Sequence, residues 1–393
     1  MAAEDRYKDK LHDSDDWGMP TFPPPTPTIA STPTWSLRRL KKSWPILTLI
    51  LLLLLLYQSR SPPSRIDKSK HAYVLYAVDE ATLCHAYMVF ESLHRFNSKA
   101  DRVLLHNPQW TTTANGGQSR SSELLSRAQK RFAVHLRPVQ LLDERGETSA
   151  PTADGFSTWD LSITKLRAFE LIEYERVLHL DSDITLFTHL DELFLLPKTP
   201  LAMPRAYWSE PWERERWGSH GSLTSMVLLI QPNPAEMHGM LRTLREWRTD
   251  EGRNRSRAYD MELLNHRFAS SAMVLPQRPY GLLTAEFRAE NHEPYLGTVN
   301  APASMTAQWD ADQILKEAKL VHFSDWPLPK PWVMWPHDGL MEMQPKCAVP
   351  PCREREIWKN LYEDFRKRRK EHCRLLSVTA PNWGTWKASV GAD

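Results

Sequence analysis

The chain has 393 residues, 41% hydrophobic and 25% charged, a globular composition with room for one large or two ordinary domains. Its 50 Lys and Arg nearly balance 48 Asp and Glu, leaving a formal charge of +2, so no global field marks a binder of polyanions. There is no zinc-finger spacing and no basic stripe interleaved with aromatics, which argues against a nucleic-acid partner.

Residues 19–35, MPTFPPPTPTIASTPTW, have a composition that resists a packed core and favours extended, solvated backbone. Residues 1–43 are therefore expected to form a Pro-rich tail. The uncharged stretch from Ser43 to Gln58 follows, with its continuous apolar part at Ile46 to Tyr57, shorter than the ~20 residues of an average spanning helix. A secretory signal is the competing reading. No Ala-x-Ala-like cleavage site follows, and the segment lies far from the first residue, so an uncleaved signal anchor over 44–58 is expected. Arg38, Arg39, Lys41 and Lys42 before it are matched by Arg60, Arg65, Lys68 and Lys70 after it. Proximity alone favours a cytosolic N-terminus, with the rest lumenal. The triplet Asn254-Arg255-Ser256 is a glycosylation sequon usable only in that orientation.

After a short stem (59–71) the texture changes, and a catalytic domain is expected over 72–376, with a tail at 377–393. AYVLYAV is an apolar strand, and Leu83, Tyr87, Phe90 and Leu93 then repeat at helical spacing. DRVLLH and AVHLRPVQLL are further strands flanking the helix SSELLSRAQKRF. In SITKLRAFELIEYE, Ile163, Leu166, Phe169 and Ile172 recur every three residues and predict a helix before the strand RVLHL. Strand and helix in alternation predict an α/β fold with a parallel sheet covered on both faces.

RVLHL leads into Asp181-Ser182-Asp183. In extended backbone, residues two apart share a side, so both carboxylates converge on one point while Ser182 faces away. They also lie at the carboxyl end of a strand, where open α/β sheets bind ligands. Hard oxygen ligands suit Mg²⁺ or Mn²⁺, ions commonly shared with a diphosphate. A bare acid-x-acid triplet is more often a solvated turn or a helix cap; the buried strand before it and the apolar ITLF after it favour the metal.

HLDSDITLF followed by HLDELF resembles the Asp-x-Asp region of glycosyltransferase family 8, retaining nucleotide-sugar transferases that include glycogenin. The resemblance spans roughly Ala72 to Trp332 and implies a Rossmann-like GT-A fold, a mixed sheet with helices on both faces. TKLRAF matches the family's Lys-containing helix, which implies that Lys165 contacts the donor sugar or phosphate. VHFSDWPLPKPW is similar to a late motif in which a His completes the metal site and a Lys-Pro-Trp follows, which implies His322 as third ligand and Lys330 as a phosphate contact. FESLHR, SKADRVLL, AMPRAYW, YDMELLN and VLPQRPYGLLTAEFR are similar to a fungal Golgi branch of N-acetylglucosaminyltransferases, also called glucose N-acetyltransferases. This likeness implies UDP-N-acetylglucosamine as donor, a glycan or glycoprotein acceptor, and a single-pass type II enzyme of the Golgi membrane.

Such a transfer leaves charge on the β-phosphate, which a divalent ion on Asp181, Asp183 and His322 neutralises as a Lewis acid. Imidazole among oxygen ligands fits Mn²⁺ better than Mg²⁺. Asp260 matches the acid the family places by the sugar, and an N-cap is its structural alternative. Met261 stands where the family carries an amide, so a front-face mechanism is expected, with Asp260 and Lys165 as the reacting-centre residues. Of the family's Asn-Ser-Gly only Ser225 remains, in TSMVLLIQP. Leu75, Ala77 and Asp79 are expected to frame the uracil and ribose, mostly through backbone; with Ser182 of the Asp-x-Asp they complete the implied donor set.

Tyr207, Trp208, Trp212 and Trp217 read either as a sugar-stacking platform or as loop anchors. Trp358, Leu361, Tyr362 and Phe365 give an amphipathic helix, on which Arg366 to Lys370 is expected to be a solvated face. Four cysteines allow three full pairings, and sequence does not choose. A glycoside hydrolase and a catalytically silent lectin-like scaffold are the alternative functions.

Overall fold

The computed structural model describes residues 48–49, 70–112, 119–149, 161–209, 221–249, 259–297, 308–347 and 350–391. Met1–Pro63 and Ser64–Asp393 are two compact units. Of the first, only Thr48 and Leu49 are described, both helical. The expected tail, nearly all of the 44–58 span, most of the stem, the sequon at Asn254, Trp212 and Trp217 lie outside the described residues. Among the described residues, no helix is long and apolar enough to cross a membrane.

The second unit starts with β1 (His71–Ala77), buried almost throughout as a continuous apolar run requires. Asp79 then caps α1 (Glu80–Arg95), accepting from the backbone N of Thr82 while the Thr82 side chain returns the bond. Leu83, Tyr87, Phe90 and Leu93 are all buried. β2 (Asp101–His106), α2 (Arg120–Phe132, capped by Ser119) and β3 (Val134–Pro138) follow as the pattern predicts, although β3 takes only the first half of its segment.

The three-residue period over Ile163, Leu166 and Phe169 is a 3₁₀ helix, Ser162–Glu170, not an α-helix. Side chains three apart eclipse in that geometry, so these three are buried on one face. Ile172 lies beyond its end and is 69% exposed, against expectation. β4 (Arg176–Leu180) is buried at every position.

The main sheet has seven strands in the order β3-β2-β1-β4-β7-β6-β8, with β6 (Leu201–Pro204), β7 (Val227–Ile230) and β8 (Met273–Leu275). β3, β2, β1 and β4 are parallel, β7 is antiparallel to both neighbours, and β6 pairs β8 in parallel. The sheet is thus mixed. The chain leaves β1 toward β2 and returns past it to β4, so the carboxyl ends of β1 and β4 form the switch-point crevice. A three-stranded sheet, β5 (Ile184–Leu186), β10 (Leu320–His322) and β9 (Leu282–Leu283), carries the chain on from the acid pair.

One face of the main sheet packs on α1, α2 and a long C-terminal helix. The other packs on the 3₁₀ helix, α3 (Pro234–Thr249) and α4 (Asp260–Phe268). Two further helices, α5 (His337–Met343) and α6 (Arg353–Cys373), lead to α7 (Trp383–Val390). Trp358, Leu361, Tyr362 and Phe365 of α6 are buried as predicted. The basic run beside them is not a solvated face. Arg369 is buried, Arg366 lies 4.6 Å from the Trp335 ring, and Arg368 bonds Glu91 and the Met88 carbonyl; Lys367 and Lys370 alone are exposed. Residues past 376 are tied to the domain: Met334 N donates to the Val378 carbonyl at 2.9 Å, Val378 N donates to the Trp332 carbonyl at 2.8 Å, and Trp386 Nε1 donates to the Pro327 carbonyl at 2.8 Å.

Two disulfides choose among the three pairings, Cys84–Cys373 from α1 to the end of α6, and Cys347–Cys352 within one loop. Tyr207 is a buried anchor against Tyr295 rather than an open platform, while Trp208 beside it is 40% exposed.

Candidate active site

β4 delivers Asp181 and Asp183 to the crevice, but not by extended backbone. Residues 182 and 183 form a bend between β4 and β5, and Ser182 lines the cavity with its neighbours instead of facing away. The antiparallel ladder of β10 on β5 sets His322 opposite Ile184, the residue after Asp183. His322 Nε2 thereby lies 3.2 Å from Asp183 Oδ1. One ligand atom from each of Asp181, Asp183 and His322 falls within 4.8 Å of the others.

Two lysines meet the acids. Lys165, brought in by the 3₁₀ helix, is almost fully buried; its Nζ donates to Asp181 Oδ1 at 2.7 Å and lies 2.8 Å from Asp260 Oδ2. Lys330 Nζ donates to Asp183 Oδ2 at 2.7 Å and to the Phe323 carbonyl at 2.6 Å. Asp260 opens α4, yet its carboxylate does not cap that helix; Tyr259 is the N-cap residue. Ser225, from the turn before β7, lines the same cavity, which encloses about 290 Å³.

Burial opposes ionisation of every carboxylate here, and the neighbours decide the outcome. At Asp183 the Lys330 and His322 charges overcome burial and hold the carboxyl well below the usual range. At Asp260 burial is likewise outweighed, chiefly by Lys165, so its pKa falls. At Asp181 burial wins despite Lys165, helped by Asp183 and Asp260, and the pKa rises. Burial penalises the Lys165 ammonium, but Asp181 and Asp260 overcome that and push its pKa well up. Asp181 is thus the acid short of positive charge. Two carboxylate oxygens and an imidazole nitrogen at this spacing fit a divalent cation.

The remaining sequence candidates sit apart. Leu75 and Ala77 side chains are sealed in the core, so any nucleotide contact from these two is made by backbone, while Asp79 Oδ1 is taken by the α1 cap. Lys165, Asp181, Ser182, Asp183, Ser225, Asp260, His322 and Lys330 all line one cavity.

Sequence reasoning missed several lining residues. Ser162 precedes Lys165 by three, and the 3₁₀ turn eclipses the two, a signal available only once that geometry is known. Trp332 was inside a recognised motif. His85 gave no signal: in α1 it reads as core, and it is 1% exposed, 4.7 Å from the Trp332 ring and 5.1 Å from Phe365. Neither of its ring nitrogens has a hydrogen-bond partner among the described residues, and burial, with Arg369 adding to it, pushes its pKa well down.

No protein-family model matches the chain. It is similar to the glucose N-acetyltransferase 1 of Aspergillus fumigatus, 39% identical over 361 residues, covering 87% of this chain and 89% of the relative. It is 38% identical over 328 residues to that of Gibberella zeae, covering 82% and 66%. Among solved structures, the galactosyltransferase LgtC with donor and acceptor sugar analogues aligns with a TM-score of 0.46 at 15% identity, over 75% of this chain and 95% of that one. The bifunctional glycosyltransferase WbbM also aligns at 0.46, at 14% identity, over 69% and 48%.

Proposed function

The chain belongs to the glucose N-acetyltransferase 1 family, and from that premise we propose that it is a retaining, metal-dependent glycosyltransferase moving N-acetylglucosamine from UDP-N-acetylglucosamine to a glycan or glycoprotein. The observation that carries this reading is the convergence of Asp181 and Asp183 from the end of β4 with His322 from β10 and Lys330 beyond it. A metal-and-cation cluster of that kind answers one chemical need, a departing diphosphate.

Asp181, Asp183 and His322 would hold the ion. When bound, it supplies Lewis-acid neutralisation of the β-phosphate. Lys330 sits beside Asp183 and reaches the same phosphate by a charge-assisted bond. Asp260, kept ionised by Lys165, accepts from the sugar's hydroxyls and fixes the ring; it has no proton to give at neutral pH. Met261, not an amide, lines the cavity beside it, so that among the described lining residues no side-chain amide stands ready to form a covalent intermediate. In the front-face step the anomeric C–O bond breaks with its electron pair going to UDP. The acceptor oxygen bonds the same face, and its proton passes to the departing phosphate oxygen.

The proposal extends to place: a single-pass type II protein of the Golgi membrane, anchored by residues 44–58, with Ser64–Asp393 lumenal. The apolar run and two disulfides support this, since disulfides persist in oxidising compartments. The test is UDP release from a panel of UDP-sugars, with and without Mn²⁺. Metal-dependent release, greatest with UDP-N-acetylglucosamine and lost in Asp183→Ala, is expected. Sugar release from a glycoside in the absence of nucleotide would identify a hydrolase instead, and no turnover at all a scaffold.

A further inference from the structure

His322 and Lys330 bracket a segment with no helix or strand, Phe323–Pro329, and both ends must meet Asp183. The near end needs no help, because the β10 ladder fixes His322. The far end has no ladder. Between them Asp325 is buried with a side-chain exposure of 0%, and its carboxylate gathers three donors from two other elements. Arg288 Nε donates at 2.7 Å from the 3₁₀ turn Thr284–Arg288. Trp358 Nε1 donates at 3.1 Å and Tyr362 OH also donates, both from α6. A carboxylate taken out of water costs several kcal/mol unless paired and bonded on both oxygens. A hydrophobic residue in this aromatic pocket avoids that cost, so the acid's merit lies in direction: three fixed donors leave it one position.

The backbone shows what that position controls. The Asp325 carbonyl accepts from Leu328 N at 2.7 Å, turning the segment back on itself, and Pro331 O beyond Lys330 accepts from Arg366 of α6 at 3.1 Å. The segment is thus pinned to α6 on either side of Lys330. We propose that Asp325 is a positioning residue that holds Lys330 at the diphosphate. This rests on the proposed function and adds a residue that touches neither substrate nor metal.

The test uses the full chain and UDP with Mn²⁺ as probe, measuring affinity by calorimetry and stability by thermal unfolding. Asp325→Asn, which keeps the shape and one acceptor but loses the charge opposite Arg288, should weaken UDP·Mn²⁺ about tenfold, within the usual range of coupling between neighbouring sites. In a Lys330→Ala background the same substitution should weaken it by no more than about twofold, since the residue it acts through is gone. A purely structural role would lower the melting temperature equally in both backgrounds and leave the affinity of the folded protein unchanged. Where Asp325→Asn does not fold, Tyr362→Phe, which deletes one donor, carries the same cycle with a loss of roughly threefold. Equal UDP affinity in wild type and variant, or equal losses in both backgrounds, would overturn this inference alone. A wild-type protein that does not bind UDP with Mn²⁺ would overturn the functional reading and this inference together.

Discussion

Lys330 Nζ lies 2.7 Å from Asp183 Oδ2, so the lysine proposed to meet a phosphate is already the counter-ion of an acid proposed to hold the metal. On the proposed function, a cation held by Asp181, Asp183 and His322 would replace Lys330 as the counter-charge of Asp183 and free the ammonium for a phosphate. Lys330→Met should therefore lower kcat about 10²–10³-fold at saturating donor and Mn²⁺, the usual loss when one preformed charge-stabilising donor is removed. UDP release measured under those conditions checks it.

Lys165 answers to a different balance. It is the shared counter-charge of Asp181 and Asp260; Lys165 and Asp260 are buried, and Asp181 is half-buried with a side-chain exposure of 18%. Lys165→Met leaves Asp260 buried and Asp181 half-buried without their counter-charge and should destabilise the protein by about 3–5 kcal/mol. Lys330, with side-chain exposure of 21%, faces water and should cost much less. Urea unfolding of the two variants separates them; equal losses would contradict the ranking.

The legible parts of this protein were those where one physical pattern dominates. β1, α1, β2, α2 and β4 are runs or periods that no other structure satisfies, and the acid pair declared itself by following β4. Where two geometries share a pattern, the pattern does not choose between them. A period of three served equally for a sloppy α-helix and a 3₁₀ helix, and only the second seats Ser162 with Lys165. Alternation across Asp181-Ser182-Asp183 assumed a strand where the chain bends. The basic run after Phe365 looked solvated because a guanidinium's packing on Trp335 or its bond to a carbonyl leaves no trace in spacing. His85 and Asp325 were invisible for the same reason: their roles depend on rings and donors contributed by distant elements.

Buried histidines make stability depend on pH with a definite sign. His85 and His179 are both fully enclosed, and burial, the largest cause, lowers each pKa well below 6.5; His106 and His372 shift the same way, also through burial. The unfolded chain takes up these protons as pH falls through 6.5, while the native state refuses them. The stabilisation from keeping them neutral is thus complete above 6.5 and drains away as pH drops toward the folded values. Each of the two enclosed histidines contributes a slope approaching about 1.4 kcal/mol per pH unit in that window. Unfolding free energy between pH 7 and 5 should fall steeply, and His85→Phe should flatten the curve. A flat wild-type profile would refute the account.

Gly339, the third residue of α5, sets two rules against each other. Glycine in a helix interior is destabilising by roughly 0.5–1 kcal/mol relative to alanine, so Gly339→Ala ought to help. Yet a methyl there would sit 2.9 Å from Trp383 Cε3, 3.0 Å from its Cδ2 and 3.1 Å from Pro336 Cγ. None of these is the loose end of a flexible chain: the Trp383 indole is buried and its Nε1 donates to Glu342 at 2.6 Å. Overpacking of this kind costs about 1–3 kcal/mol, more than the propensity gain. Gly339→Ala should lower the melting temperature of the wild type and raise that of Trp383→Ala, where the obstruction is gone. Only that reversal of sign shows that α7 is docked on α5 in solution; a gain in both backgrounds would mean that the residues past 376 do not pack there.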